Sequence, residues 1–578
     1  MAEPLSPAEV ASEDALNEMF TCLKSRQSFR LEAAAGAGKT YSLVKALRFL
    51  IETRARASTQ HGHHVACITF TNVARDQIAA QVDRHPLIFC DTIHAFCWSL
   101  INGFQPRLRA LVAQLPAWQE RLQEAGGINS RTIEYNLGFR SVREHEVSLH
   151  HDDVIPLTIA LMQNVKFQRL MTDRYPIILV DEYQDTDAGW VAALKEHFLG
   201  QPGSPLFGFF GDHWQKIYGE GCGEIEHPAV KEIAKKANFR SVPAIVNCLN
   251  RMRPQLPQFV KDPNATGRVQ IFHTNSWKGT REKGQHWGGD LPRDEARKAL
   301  KRVLATLRQD GWNIESGDTK ILMLTHRVLA AEQGYSSLPD IFKYSESYTK
   351  LEHPHLAFFC ELLEPACEAF ANRRFGEMFE ALGTQVPPIR NLPDKQVWTE
   401  AMNVLLALRE NGTVGEILTH LRTVARPRLP DKVAELEVEL RNYKPENADD
   451  EMPRKLSEVE ALHEVPYSEI RALRLYSLGF SPFETKHGVK GAQFENVLVV
   501  IGRGWNRYNF NAMLELASAR SIPEKRREAF DRNRNLFYVA CSRPKSRLAL
   551  LFTQELSDEA LGTLKHWFEA DTIESVVF

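Results

Sequence analysis

The sequence predicts an α/β protein with parallel sheets, in two α/β regions each interrupted by a long helical stretch. Three observations predict it. Short apolar runs of strand length recur along the chain, several leading into helical spacing, as in β-α units. One of them, Ile177-Ile-Leu-Val180, ends in two carboxylates, the form of a buried parallel strand with acids at its C-terminal edge. Between these core-like runs, residues 103–172 and 342–476 lose the β-α alternation and read as inserted helical subdomains.

The chain of 578 residues is too long for one core and suggests roughly three to five domains. Hydrophobic residues make up 43% and charged residues 25%, an ordinary soluble composition. With a net charge of −2, a nucleic-acid site has to be a local basic groove, because global charge supplies no attraction. Met1 to Glu13 is polar and acidic, unlike a signal or transit peptide, and no run approaches a membrane span, so a cytoplasmic location is expected. Nine scattered cysteines without C-x-x-C fit reduced thiols and argue against structural zinc or iron–sulfur. His61, His63 and His64 read as a solvated loop.

The first strand is expected at Ser28 to Glu32, followed by Ala33-Ala-Ala-Gly-Ala-Gly-Lys-Thr40 and then a helix with apolar residues at Leu43, Val44, Leu47, Leu50 and Ile51. A strand, a small-residue loop and a helix opening on Lys-Thr is the context of a phosphate-binding loop. Gly36 and Gly38 let backbone approach a phosphate, and successive N–H groups with the helix N-terminus face the anion. Lys39 would reach the β- and γ-phosphates, and the Thr40 hydroxyl would bind Mg²⁺. Ala33 stands where the strict pattern has its first glycine; the alternative is a small-residue turn before a core helix.

Val65 to Phe70 is the next strand, then Thr71-Asn72 and a helix through Ala74, Ile78 and Val82, with Asn72 as the expected cap. Leu87 to Cys90 leads into Asp91-Thr-Ile-His94. After the first insertion comes Tyr175-Pro-Ile-Ile-Leu-Val-Asp-Glu-Tyr-Gln-Asp-Thr186. Asp181 would hold Mg²⁺ and Glu182 would orient and deprotonate an attacking water. An exposed turn can also carry Asp-Glu, but an upstream phosphate loop favours the metal and base pair. Leu206 to Asp212 is another strand, with Gln215 placed to report on a γ-phosphate and pass that on to Tyr218. In Asn238-Phe-Arg-Ser241, Arg240 could act as an arginine finger and Phe239 as a stacking surface for a base.

A polar, glycine-containing stretch from Asn275 to Asp294 reads as a junction loop, and Lys320 to Thr325 opens the second α/β region. Core text resumes at Phe483 to Phe494, then the strand Asn496 to Ile501, then Asn535 to Arg543 and the strand Leu548 to Thr553.

Taken in order, these motifs resemble those of the UvrD/Rep-type helicases of superfamily 1, from Leu31 to about Phe552. Ala33 to Thr40 is similar to the family's phosphate loop, Thr69-Phe-Thr-Asn72 to its second motif and Thr92-Ile-His94 to the short motif after it. Asp181-Glu-Tyr-Gln-Asp-Thr186 matches the acidic motif, and Gly211-Asp212 with Gln215 and Ile217-Tyr218 the third. Asn238 to Ser241 and Tyr538 to Arg543 match the two arginine-bearing motifs; His487, Lys490-Gly491 and Phe494 match the one that touches DNA.

The resemblance implies two RecA-like P-loop NTPase domains with parallel sheets, each carrying an inserted helical subdomain. The expected division is 1–102 and 173–250 for the first domain around the insertion 103–172, and 251–341 and 477–578 for the second around the insertion 342–476. It implies ATP and Mg²⁺ as cofactors. Lys39, Glu182, Gln215, Arg240 and Arg543 would be catalytic, and Thr40 and Asp181 would hold the metal. Ala33, Ala34, Ala35, Gly36, Ala37, Gly38, Lys39, Thr40, Tyr41, Phe239 and Gln493 would bind ATP. Phe70, Asn72, Thr92, His94, Tyr218, His487 and Lys490 would contact nucleic acid, with 3′-to-5′ movement on single-stranded or tailed duplex DNA. Sequence-tolerant grip would come from stacked bases and phosphates held by N–H groups.

The chain departs from the family in places. His213 and Trp214 replace acids in the third motif, and Glu220 stands where a stacking Trp is usual, so Trp214 could take over part of that platform. Gln493 replaces a common Glu, and no adenine-reading Gln is identifiable upstream of the loop. The competing reading is therefore a DNA-sensing ATPase that switches a partner such as a nuclease. Stand-alone helicases of this type occur beside a nuclease, including in anti-phage systems of the Gabija kind, an analogy at family level. A purely structural relative is disfavoured by Lys39, Asp181, Glu182, Gln215, Arg240 and Arg543.

Overall fold

The computed structural model describes residues 4–60, 62–135, 140–216, 221–284, 287–314, 318–324, 334–342, 346–349, 351–386, 389, 391–444, 452–477, 483–485, 493–503 and 508–578. The chain forms two compact units. The first comprises Met1–Gln270, Phe510–Leu548 and Ser557–Ile573; the second comprises Ile271–Asn509, Ala549–Leu556 and Glu574–Phe578. The block 477–578, expected as one piece, is thus shared between them.

The first unit opens with a helix, α1 (Pro7–Ser25), started by a Ser6–Glu9 capping box. Its sheet contains β1 (Phe29–Ala33), β2 (Val65–Thr69), β3 (Ile88–Thr92), β7 (Ile177–Asp181), β8 (Leu206–Gly211) and β9 (Lys231–Lys235). The strands lie in the order β3-β2-β7-β8-β1-β9. The described pairings are parallel. β1, β2, β7 and β8 are buried along their whole length; β2, β7 and β8 read as largely apolar runs for that reason, whereas β1 carries Arg30 and Glu32 among its apolar residues. The carboxyl ends of β1, β7 and β8 fall together, with Asp181 opposite Phe210 and Glu32 opposite Gly211. Parallel open sheets place ligands at that edge.

Helix α2 (Lys39–Gln60) begins on the predicted Lys-Thr. Helix α3 (Asn72–Gln81) corrects the expected cap. Thr71, not Asn72, is the N-cap, and its hydroxyl accepts from Ala74 N at 3.2 Å. Helix α4 (Ile93–Ile101) is capped by Thr92, which accepts from Ala95 N at 3.4 Å. The insertion at 103–172 is not wholly helical. It holds a three-stranded sheet of β4 (Thr132–Tyr135), β5 (Ser141–Val142) and β6 (Glu146–Leu149), ordered β4-β6-β5. Short strands with few apolar residues amid Arg, Glu and His carry little periodic signal, so the sequence hid them. Buried Asp153 ties this region together, accepting from Trp118 Nε1 at 3.1 Å and from Arg140 at 2.7 Å.

β10 (Ala237–Asn238) and β11 (Phe259–Val260) form a short parallel pair in the first unit. A second six-stranded sheet orders β14 (Phe483–Thr485), β13 (Thr319–Met323), β15 (Phe494–Ile501), β16 (Pro544–Phe552), β12 (Arg268–His273) and β17 (Ile573–Ser575). β13 pairs in parallel with β14 and β15. The second insertion is helical as expected, from Pro354–Ala357 to Tyr467–Ser477. Mixed α/β architecture with largely parallel sheets is therefore the fold. No helix among the described residues is long and apolar enough to cross a membrane.

Candidate nucleotide and nucleic-acid site

The loop Ala34 to Gly38 joins the end of β1 to the start of α2. Gly36 and Gly38 have φ of 80° and 74°, a left-handed backbone that other residues adopt only with strain. A Cβ on Gly36 would lie 2.7 Å from Asn238 Oδ1 and 2.9 Å from Arg240 Cβ. The loop is thus packed directly against the Asn238–Ser241 motif. Phe239 N donates to Gly36 O at 2.9 Å, and the Asn238 side chain donates to Ala35 O at 3.3 Å. Asn238 Oδ1 in turn accepts from Arg240 N and Ser241 N. Ala33, Ala34, Ala35 and Ala37 are buried, Thr40 is half-buried, and Tyr41 and Phe239 are exposed.

Lys39 Nζ donates to Glu182 Oε2 at 2.6 Å. Burial works against the ammonium, but Glu182 and then Asp181 outweigh it and hold the Lys39 pKa above its ordinary value. Glu182 itself sits at φ 49°, ψ 45°, a left-handed position for a side-chain-bearing residue. Strain of this kind gathers at functional sites. Gln184 donates to the same Glu182 oxygen at 2.6 Å and accepts from Asp212 N at 3.0 Å. Through Gln184, the ends of β7 and β8 are joined.

Beyond β8, Gln215 Nε2 donates to Asp212 Oδ2 at 2.8 Å. Asp212 Oδ1 accepts from Arg253 at 2.6 Å, and Arg253 also reaches Glu32 Oε1 at 2.9 Å. Glu32 further accepts from Tyr183 Oη at 2.6 Å and lies 2.6 Å from His213 Nδ1. Burial alone would raise Glu32; His213, Arg253 and Tyr183 together outweigh it and hold the carboxyl far below its usual range. Glu32, Asp212 and His213 have the spacing of a metal site. The Arg253 guanidinium, bonded to both carboxylates, takes the cation's place.

The helix Glu524–Cys541 packs on the turn at His213–Gln215. Asn535 Nδ2 donates to His213 O and to Lys216 O, each at 3.1 Å. Arg534 lies 4.0 Å and Arg253 5.0 Å from the Trp214 ring centre, and Tyr538 meets the ring edge-on at 5.3 Å. Trp214 is therefore enclosed and offers no open face to a base, which corrects the expectation that it could stand in for a stacking platform. Buried Arg543 donates from Nε to Val539 O at 3.0 Å and from a terminal nitrogen to Gln215 Oε1 at 3.5 Å. Arg240 donates to Ser542 O at 2.9 Å. Burial lowers both guanidinium pKa values, and for Arg543 the nearby Arg240 adds to the effect.

Phe70, Thr69, His94 and Asp181 line one cavity of about 580 Å³ together with His151, Asp152 and Asp185–Asp187. Phe70 is exposed, and His94 stacks on His151 at 3.3 Å between ring centres. Tyr135 Oη lies 2.6 Å from His151 Nδ1. Burial, then the neighbouring His151, pushes His94 down to about 4, and burial lowers His151 too. Asn72 is exposed and accepts from Arg75 at 3.1 Å. Gln493 is exposed just before β15 in the second unit. Tyr218, Glu220, His487 and Lys490 lie outside the described residues.

Lys39, Glu182, Gln215, Arg240 and Arg543, which the motifs singled out, are bonded as described above. The motifs did not foretell Glu32, Gln184, Lys235, Arg253, Gln258 or Asn535, each of which bonds to a motif residue or to a motif's neighbour. One signal was present: Glu32 is a charged residue inside an apolar strand, and such a residue needs a buried partner.

Residues 18–220 match an AAA domain. The chain is also similar to the Gabija protein GajB of Bacillus cereus (strain HuB5-5), 21% identical over an alignment of 682 positions that covers 94% of this chain and 95% of that protein. The resemblance to UvrD/Rep-type helicases drawn from the motifs is in keeping with both.

Proposed function

We propose that this chain is an ATP-dependent DNA helicase or translocase that moves 3′-to-5′ on single-stranded DNA, hydrolysing Mg-ATP at the phosphate loop. The observation that carries the reading is the meeting, within one unit, of the Lys39–Glu182 pair, the Asp212–Gln215 turn and the Arg543 guanidinium. The residues fit a nucleoside triphosphate. Two left-handed glycines remove side chains at Gly36 and Gly38, and Thr40 and Asp181 supply the hard oxygens that magnesium prefers. Mg²⁺, when bound there, would neutralise phosphate charge.

In this reading Lys39 exchanges Glu182 for a phosphate, which releases the Glu182 carboxylate to orient and deprotonate water. Gln215, held by Asp212 and touched by Arg543, senses whether the γ-phosphate is present. Arg543 and Arg240 stabilise charge that develops in the transition state. Phe239 and Tyr41 offer faces for the base, and Gln493 a polar contact. Phe70, Asn72, Thr92 and His94 would hold DNA in the first unit, joined by Tyr218, His487 and Lys490. Two RecA-like domains with inserted subdomains belong to the same proposal, with the block 477–578 divided between the two units.

The enclosure of Trp214 favours a second reading, a DNA-sensing ATPase that switches a partner such as a nuclease, with little unwinding. The name of the Gabija relative supports a place in anti-phage defence over one in DNA repair, and a cytoplasmic location suits either. ATPase activity with and without single-stranded DNA, then unwinding of duplexes with a 3′ or a 5′ tail, separates the two, with Lys39→Ala as control. DNA-stimulated hydrolysis with unwinding from a 3′ tail is expected. Stimulation without unwinding would favour the sensor; unwinding only from a 5′ tail would reverse the polarity.

A further inference from the structure

Lys235 closes β9, in register with Ala33, the last residue of β1. Its side chain is wholly buried. Nζ donates to Ser42 Oγ at 2.6 Å and to Gly38 O at 3.2 Å, so the ammonium sits beneath the first turn of α2. It also lies 5.6 Å from the Tyr41 ring centre. A Cβ on Gly38 would come within 3.6 Å of it. Its hydrogen-bond partners, a carbonyl and a hydroxyl, carry no charge.

The charged groups on the surrounding elements are engaged elsewhere. On α2, Lys39 is paired with Glu182, and Lys45 also lies over the Tyr41 ring, 5.4 Å from its centre. On β1, Glu32 is taken by Arg253 and His213, and Arg30 by Glu224 and Glu232. On α1, Glu18 pairs with Lys231. Lys236 and Arg240 follow on the same segment and add only positive charge.

We propose that Lys235 is a positioning residue of the phosphate loop, a buried ammonium under Gly38 and Ser42 whose missing counter-charge is supplied by the phosphates of a bound nucleotide. The inference rests on the ATP-site reading above and adds a residue to it. Burial with no ion-pair partner pushes Lys235 down to about 8. A buried cation without a partner is costly until an anion arrives. Phosphates bound to the loop would restore the ammonium and raise its pKa, so binding takes up a proton above pH 8. Affinity then falls as pH rises, by at most about tenfold per pH unit.

Titration calorimetry with Mg-ADP tests this without turnover. At pH 8.5, in two buffers of different ionisation heat, the unaltered protein is expected to take up about 0.7 proton per nucleotide. Its affinity should fall roughly tenfold or more between pH 7.5 and 9.5. Lys235→Met should bind about tenfold more weakly at pH 7.5 and take up no proton. Lys235→Arg should keep the affinity at pH 7.5 and lose both the uptake and the pH dependence, because guanidinium stays charged. If Lys235→Met fails to fold, the arginine variant decides. Binding by the unaltered protein without proton uptake, or uptake that survives either substitution, would overturn the inference and leave the ATP site standing. No nucleotide binding at any pH would overturn both.

Discussion

Lys39 and Glu182 are joined by a 2.6 Å ion pair, so the cation of the phosphate loop and the candidate base neutralise each other before nucleotide enters. Gln184 donates to the same Glu182 oxygen at 2.6 Å, so the pair and the amide hold the carboxylate together. Glu182→Gln should keep nucleotide affinity within a few-fold and lower kcat by about 10²–10⁴, the usual worth of a general base. Measured kcat and nucleotide Kd check this; a normal kcat would remove Glu182 from the proposed role.

Arg543→Ala should bind nucleotide and lose most turnover, about 10³-fold, because a finger acts on transition-state charge. Some loss of folding stability is expected too, since the buried guanidinium donates to Val539 O and Gln215 Oε1. Thermal melting beside single-turnover hydrolysis separates the two effects. A variant that turns over normally would end the assignment.

Trp214 is held by Arg534, Arg253 and Tyr538, so its replacement reports on packing and not on DNA stacking. Trp214→Ala should destabilise the protein by about 3–5 kcal/mol in denaturant unfolding. In the variants that remain folded, such as Trp214→Phe, affinity for single-stranded DNA should stay within a few-fold. A large selective loss of DNA affinity would restore Trp214 as a base platform.

The stacked His94–His151 pair predicts a stability loss on acidification. His94 in the fold is held down to about 4 against an ordinary 6.5. Between those values the unfolded chain binds the extra proton, so stability is whole above pH 6.5 and falls as pH drops towards 4. The loss should reach about 3 kcal/mol at most, at 1.36 kcal/mol per unit. His94→Asn should flatten the decline of the melting temperature between pH 6.5 and 5; an unchanged slope would show that other groups carry it.

Much of the candidate site was legible because each motif is local. A phosphate loop needs a strand end, small residues and a helix start within ten positions, and Leu31 to Thr40 supplies them in order. The same holds for the acids after Ile177-Ile-Leu-Val180. Thr71 was missed as a cap because Thr and Asn are both good caps, and only the backbone of Thr71, at φ −131° and ψ 153°, decides between neighbours. The small sheet of the first insertion escaped because its strands are short and polar.

The sequence by itself determined the order of β-α units, the phosphate loop, the acidic pair and the arginine-bearing motifs. These depend on residues close in the chain, where spacing alone sets geometry. Only the tertiary structure decided which groups meet across hundreds of positions: Arg253 between Glu32 and Asp212, Asn535 on the backbone of His213, Arg534 on Trp214, Lys235 under Gly38. A buried charge needs polar partners that other elements bring, and their identity is fixed by how the sheet and helices pack rather than by any local pattern.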